Sequence, residues 1–181
     1  MKTDFTETTQ GQHTIWIPAG SFVPETTAGA EAETTESTTN AVMMDGLLFD
    51  TTTEEAGQVA ILMPKSWDAG TLIAQFVWTH PVTTTNFGVT WGLQAVAFAN
   101  DDAFDTAFGT GIEVSDTGGT TDDVYISAET AAITVAGTPG SEELVVFRAY
   151  RDPVDASDNM AVDAKLIGIK VHYTTNAETD S

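Results

Sequence analysis

Residues 71–98 constrain the fold more than any other stretch of this chain. They read as two long strand-like runs joined by a connection rich in Thr, Asn and Gly. In the first run Leu72, Ala74, Phe76 and Trp78 share one face by period-two alternation, and in the second Val89, Trp91, Leu93, Ala95 and Ala97 do the same. Two such runs in succession predict a β-hairpin. Phe76, Trp78, Trp91 and Phe98 bring a large apolar area to it, so the hairpin is expected to anchor a β-sheet core.

The rest of the chain supports sheet over helix. Strand candidates recur at residues 41–50, 58–63, 111–115, 124–127, 131–136, 143–151 and 165–173, separated by Gly, Thr and Asp turns. Val145, Phe147 and Ala149 share one face, as do Ile167, Ile169, Val171 and Tyr173. One short helix is expected over residues 100–109, with Asn100 or Asp101 as cap, Phe104 and Phe108 four apart and Gly109 past the end. Asp152 and Pro153 suit the start of a second helical turn. About nine strands with short turns describe an all-β, antiparallel sandwich, a jelly roll first and an immunoglobulin-like topology as the alternative.

With 181 residues the length fits one domain. Residues 1–40 read as an extended N-terminal arm. Residues 1–12 are polar and expected to be loose without a partner, Pro18 and Pro24 flank Phe22 on a non-helical path, and residues 26–40 lack a large apolar side chain. Residues 41–175 form the sandwich and residues 176–181 a polar tail.

Charge narrows the partners. Six Lys and Arg against 27 Asp and Glu give a formal net charge of −21, a field that repels phosphate and anionic headgroups. Nucleic acid and membrane are therefore not expected as partners, and no signal peptide or membrane span is read. No Cys is present, which removes disulfides and thiolate metal sites.

Candidate sites are few. His13, His80 and His172 lack metal-ligand spacing and read as structural or surface residues. No nucleophile elbow, phosphate loop or dinucleotide fingerprint occurs, so neither an enzyme nor a cofactor is expected. Asp101, Asp102 and Asp105 are the weak candidates for a hard cation such as calcium, and Asp152, Asp155 and Asp158 a second group, although capping and solvated charge explain both. Trp78 and Trp91 belong to the core, whereas Trp16, near the arm, and Trp67, in a turn, are expected to touch a partner, together with Pro18, Phe22 and Pro24. Arg148, Arg151, Lys165 and Lys170 all fall in or between the last two strands, where they are expected to pair with acids.

The strings Ile17-Pro-Ala-Gly-Ser-Phe-Val-Pro24, Met63-Pro-Lys-Ser-Trp-Asp68, Val89-Thr-Trp-Gly-Leu-Gln-Ala95 and Tyr150-Arg-Asp-Pro153 resemble those of a family of tailed-phage structural proteins, mostly of marine or saline phages. The resemblance covers nearly the whole chain and holds no catalytic motif. It implies a virion component assembled in the host cytoplasm. Within that class it implies a head decoration or cement protein, a homotrimer on the capsid surface that binds the major capsid protein and bridges neighbouring capsomers. An arm over residues 1–40 would order on that lattice. The alternative is a tail- or fibre-associated sandwich that binds host glycan, with an exposed aromatic platform expected at Trp67.

Overall fold

The two runs of residues 71–98 do not pair with each other. In the computed structural model, which describes residues 11–176, they form β6 (Ile73–Thr79) and β7 (Gly88–Phe98), and these lie in opposite sheets. The connection over residues 80–87 is longer than a tight hairpin loop and carries the chain across the core. The two apolar faces meet there. Phe76 stacks on Trp91 with ring centroids 5.9 Å apart, Trp78 lies 6.3 Å from the same ring, and Phe49 meets it edge-on at 5.2 Å. Alternation says which side chains point inward, and it is the same whether two strands share a sheet or face each other.

One sheet has six strands. Its order is β3 (Glu31–Glu36), β4 (Met43–Phe49), β11 (Ala164–Thr174), β6 and β9 (Tyr125–Ile126), with β1 (Gln12–Pro18) paired to β11 beside β4. The other has five, in the order β2 (Val23–Pro24), β5 (Ala56–Leu62), β10 (Leu144–Arg151), β7 and β8 (Ile112–Thr117). Every ladder between these strands is antiparallel. Leu47, Phe49, Phe76, Trp78, Trp91, Phe147, Ile169 and Val171 fill the space between the sheets and are fully buried. The chain is thus an all-β antiparallel sandwich.

The expected arm is part of that sandwich. β1 pairs along β11 from Gln12 opposite Thr174 to Pro18 opposite Gly168, and β3 pairs along β4. Ile17, Ala19, Phe22 and Ala30 are buried in the core. The reason is an unfilled edge: β4 pairs only with residues 164–166 of β11, so the remaining backbone donors and acceptors on that side need a strand, and β1 supplies it. β3 is an edge strand whose Glu31, Glu33 and Glu36 discourage pairing with other chains. Of residues 1–12, expected to be loose, Gln12 instead opens β1 and residues 1–10 lie outside the described residues, as does all of the polar tail but Asn176.

Other expectations shift for physical reasons. Residues 131–136 form isolated bridges, Ile133 to Leu72 and Ala136 to Val96, and no continuous strand. The register of β11 against β6 slips between Leu166 and Gly168, so Ile167 drops out of the inward series of Leu166, Ile169, Val171 and Tyr173. Residues 100–109 are irregular, and among the described residues the helical segment is the 3-10 turn Ala19–Ser21. A helix there would have only Phe104 and Phe108 to bury, too little to offset the ordering of so short a segment. Asp152 and Pro153 open turns without a helix, and the Asp152 carboxylate accepts from the Val154 N–H at 3.0 Å.

An acid cluster flanks β5. Glu55 accepts from the Asp50 N–H at 2.9 Å. Burial, together with the nearby charges of Asp50, Asp163 and Glu31, pushes its carboxyl above the usual range despite that bond. Burial and Asp50 raise Asp163 likewise. A raised carboxyl contributes stability at low pH that is lost as pH rises through its folded-state value. Glu55→Gln keeps an acceptor and removes the charge. It is expected to stabilise the protein at pH 7 by less than about 1 kcal/mol, the site being partly exposed. That gain should disappear at pH 4, which thermal melts at the two pH values check.

Candidate functional site

The outer face of the six-stranded sheet carries the best candidate surface. Its side chains follow from the cross-strand registers. Trp16 stands opposite Lys170, which stands opposite Gln75, and Thr14, His172 and Ile73 form the next row. Pro18, Gly168, Val77 and Ile126 form the row on the other side.

Trp16 lies over Gly168. A Cβ at that glycine would sit 2.5 Å from Trp16 Cζ2, so the missing side chain is what lets the indole lie against the sheet. Trp16 remains 48% exposed, whereas Trp67, Trp78 and Trp91 are 0% exposed. Beside it the Lys170 ammonium donates to Gln75 Oε1 at 3.1 Å, and the Gln75 amide donates to the Ser127 carbonyl at 3.1 Å. His172 Nε2 faces the same Gln75 oxygen at 3.4 Å, and Nδ1 lies 3.1 Å from the Thr14 hydroxyl. With Nε2–H donating to Gln75, Nδ1 accepts from Thr14. Glu129 Oε1 lies 3.7 Å from His172 Nε2.

Further along β11 the same face opens into a cleft of about 440 Å³, lined by Thr35, Met44, Thr79, Pro81, Val124 and Lys165 among others. Lys165 forms its floor and is 1% exposed. Its ammonium donates to Thr35 Oγ1 at 2.7 Å and to the Met44 carbonyl at 3.0 Å, and Glu33 Oε2 lies 3.3 Å away, off the hydrogen-bond direction. Thr79 Oγ1, buried beside the cleft, has no hydrogen-bond partner among the described residues.

The expected contact residues separate. Trp16 and Pro18 are exposed on this face, and Pro24 is exposed on the edge strand of the other sheet. Phe22 and Trp67 are buried and offer no surface. Trp67 is drawn in because its N–H donates to the Pro64 carbonyl at 3.0 Å and the following Asp68 N–H donates to Thr174. A glycan platform at Trp67 is therefore ruled out. His80 is also buried, stacked parallel to Tyr125 at 6.0 Å, and His13 lies 5.8 Å from the Tyr173 ring.

Asp101, Asp102 and Asp105 are exposed and do not converge. Asp102 accepts from the Ala99 N–H at 2.8 Å and Asp101 from the Asn100 amide at 2.7 Å. Of the second acid group, Asp158 pairs with Arg151 at 2.7 Å, and Asp155 accepts from Ser157 and Thr90. Among the described residues no three His, Asp or Glu are placed to hold a metal ion. The four late basic residues divide as well: Arg148 lies on the outer face of the other sheet, Arg151 is buried, and Lys165 and Lys170 are on this face.

Gln75 and Gly168 escape a search for clusters along the chain, and Lys170 and His172 stand out there only as a late basic residue and a structural or surface histidine. Their signal is positional, polar residues alternating with inward apolar ones on β6 and β11. What the surface offers chemically is a flat aromatic face beside fixed donors and acceptors, a binding chemistry.

No protein-family model matches the chain, and no curated protein sequence matches it. Solved structures do. The CBM22-2 xylan-binding domain of Xyn10C from Paenibacillus barcinonensis has a TM-score of 0.50 at 12% identity, over 88% of this chain and 98% of that one. The exo-β-1,3-galactanase Pc1,3Gal43A of Phanerochaete chrysosporium has a TM-score of 0.45 at 12% identity, over 89% of this chain and 29% of that one. The CBM36-1 domain of a multidomain xylanase from the hindgut metagenome of Trinervitermes trinervoides has 0.42 at 10% identity, over 88% and 96%. The likeness to the xylan-binding domain is one of fold: the chain is a jelly-roll β-sandwich.

Proposed function

We propose that this chain is a non-catalytic module that binds a neutral glycan on the outer face of its six-stranded sheet, carried on the tail or fibre of the virion that the sequence resemblance implies. The observation that carries the proposal is the half-exposed Trp16 lying over Gly168 beside Gln75, Lys170 and His172. An indole face packs against the apolar face of a sugar ring, and neighbouring donors and acceptors take its hydroxyls. The net charge of −21 disfavours acidic sugars. The xylan-binding domain of the same fold supports a sandwich of this kind as a frame for binding polysaccharide.

Trp16→Ala is expected to weaken binding about tenfold or more, with the urea midpoint nearly unchanged. Calorimetric titration with a panel of neutral and acidic oligosaccharides checks this. Because the other three indoles are fully buried, ligand should also protect the fluorescence that acrylamide quenches, and Trp16→Phe should abolish that protection. Equal binding by Trp16→Ala and the unmodified protein sinks the proposal.

A second reading, a trimeric head decoration protein on the major capsid protein, is favoured by the exposed apolar end of the five-stranded sheet. Antibody labelling of particles separates the two readings, by label on the tail or on the head.

A further inference from the structure

The outer face of the five-stranded sheet changes character along its strands. The row of Gln58, Arg148 and Gln94 is polar and internally paired: the Arg148 guanidinium donates to Glu25 at 2.7 Å, to Gln94 at 3.1 Å and to Glu54 at 3.1 Å. Burial alone would push the Glu25 carboxyl up, but the bonds from Arg148 and Gln58 outweigh it and hold it below the usual range. The next row is Ala60, Val146 and Val96, and the last is Leu62, Leu144 and Phe98.

This last row is open. Leu62 is 67% exposed and Leu144 39%. Phe104, from the irregular segment after β7, stacks on Phe98 with centroids 6.1 Å apart and is itself 88% exposed. The segment is braced from within, since Asp102 accepts from the Ala99 N–H at 2.8 Å and the Thr106 hydroxyl donates to the Ala103 carbonyl at 2.9 Å. Contiguous apolar side chains held in water mark a surface that another molecule covers. Exposed carboxylates stand on the segments that carry it, Asp101, Asp102 and Asp105 beside Phe104 and Glu142 just before Leu144.

We infer that this end of the sheet docks a partner protein whose contact patch has an apolar centre and a basic rim. Phe104 and Leu62 enter the apolar centre, and the aspartates face lysines or arginines at the edge, where opposite potentials speed association. A second copy of this chain fits poorly, because its own aspartates would meet these in a protein of net charge −21. The surface lies on the opposite sheet from Trp16, so it stands or falls independently of glycan binding.

The test uses the full chain and two labelled probes, an amphipathic Leu–Lys helical peptide and its Leu–Glu counterpart, followed by fluorescence anisotropy. The Leu–Lys peptide is expected to bind and the Leu–Glu peptide not to. Phe104→Ser and Leu62→Ser should each weaken binding about tenfold, and Val154→Ser, at a residue 85% exposed elsewhere, should leave it unchanged. The double variant Asp101→Asn, Asp105→Asn should flatten the salt dependence. All these side chains except Leu62 lie in irregular or turn segments, and melting curves confirm folding. Failure of the Leu–Lys peptide to bind overturns the inference, as does binding that ignores Phe104 and Leu62. Sedimentation showing self-association reversed by Phe104→Ser overturns it in favour of a second copy.

Discussion

Arg151→Ala is expected to destabilise the protein by about 3–5 kcal/mol, because it removes one partner of a buried ion pair and leaves the other. The guanidinium is fully buried. It donates to the two Asp158 oxygens at 2.7 and 2.8 Å, to the Met160 carbonyl at 2.8 Å, and to those of Val162 at 3.1 Å and Phe49 at 3.2 Å. The Asp158 side chain, 2% exposed, would keep the Thr90 N–H at 3.1 Å, and three carbonyls would each lose a donor. Since Asn159 Oδ1 and the Gly88 carbonyl hold the same segment to the start of β7, the connection over residues 152–163 should loosen with it. Urea titration at neutral pH measures the loss. The double variant Arg151→Met, Asp158→Asn should cost less than Arg151→Ala, since no bare charge remains. A loss under about 1 kcal/mol for Arg151→Ala would show that water replaces the pair at little cost.

Trp91→Ala is the second large effect, again about 3–5 kcal/mol. Phe49, Phe76 and Trp78 all pack on this ring, so the cavity is bounded by both sheets and cannot close without moving one of them. Trp91→Phe should cost markedly less: it keeps the stack with Phe76 and removes an indole N–H that has no hydrogen-bond partner among the described residues. A double-mutant cycle between Phe76 and Trp91 should give a coupling of about 0.5–1.5 kcal/mol, the signature of direct ring contact across the core. Coupling near zero would mean that the rings do not meet.

Trp91 and Arg151 differ in how far the sequence alone shows their roles. Trp91 announces itself as core through the alternation of residues 89–97, and so do Phe76 and Trp78 in the run before it. Arg151 gives no such sign: it ends a strand next to acids, as a solvated residue would. Its role depends on residues 158–162 folding back over it, which no local pattern encodes. Trp67 misleads in the opposite direction. A tryptophan in a Pro-Lys-Ser-Trp-Asp turn looks exposed, yet backbone bonds to Pro64 and Thr174 turn it inward. In the sequence Trp16 stands out for its place near the arm. Its actual setting, over Gly168 and beside Gln75 and Lys170, comes from the pairing of β1 with β11, residues 150 or more positions apart.

The all-β character and the inward faces of the long strands follow from side-chain type and a spacing of two, and the acidic surface from composition, all of them local properties of the chain. The tertiary structure decided which strands share a sheet, that residues 12–36 belong to the sandwich, and which aromatic residues remain in water. Those depend on which backbone edges are left unpaired once the core has formed, a property of distant strands meeting that no local stretch of chain holds.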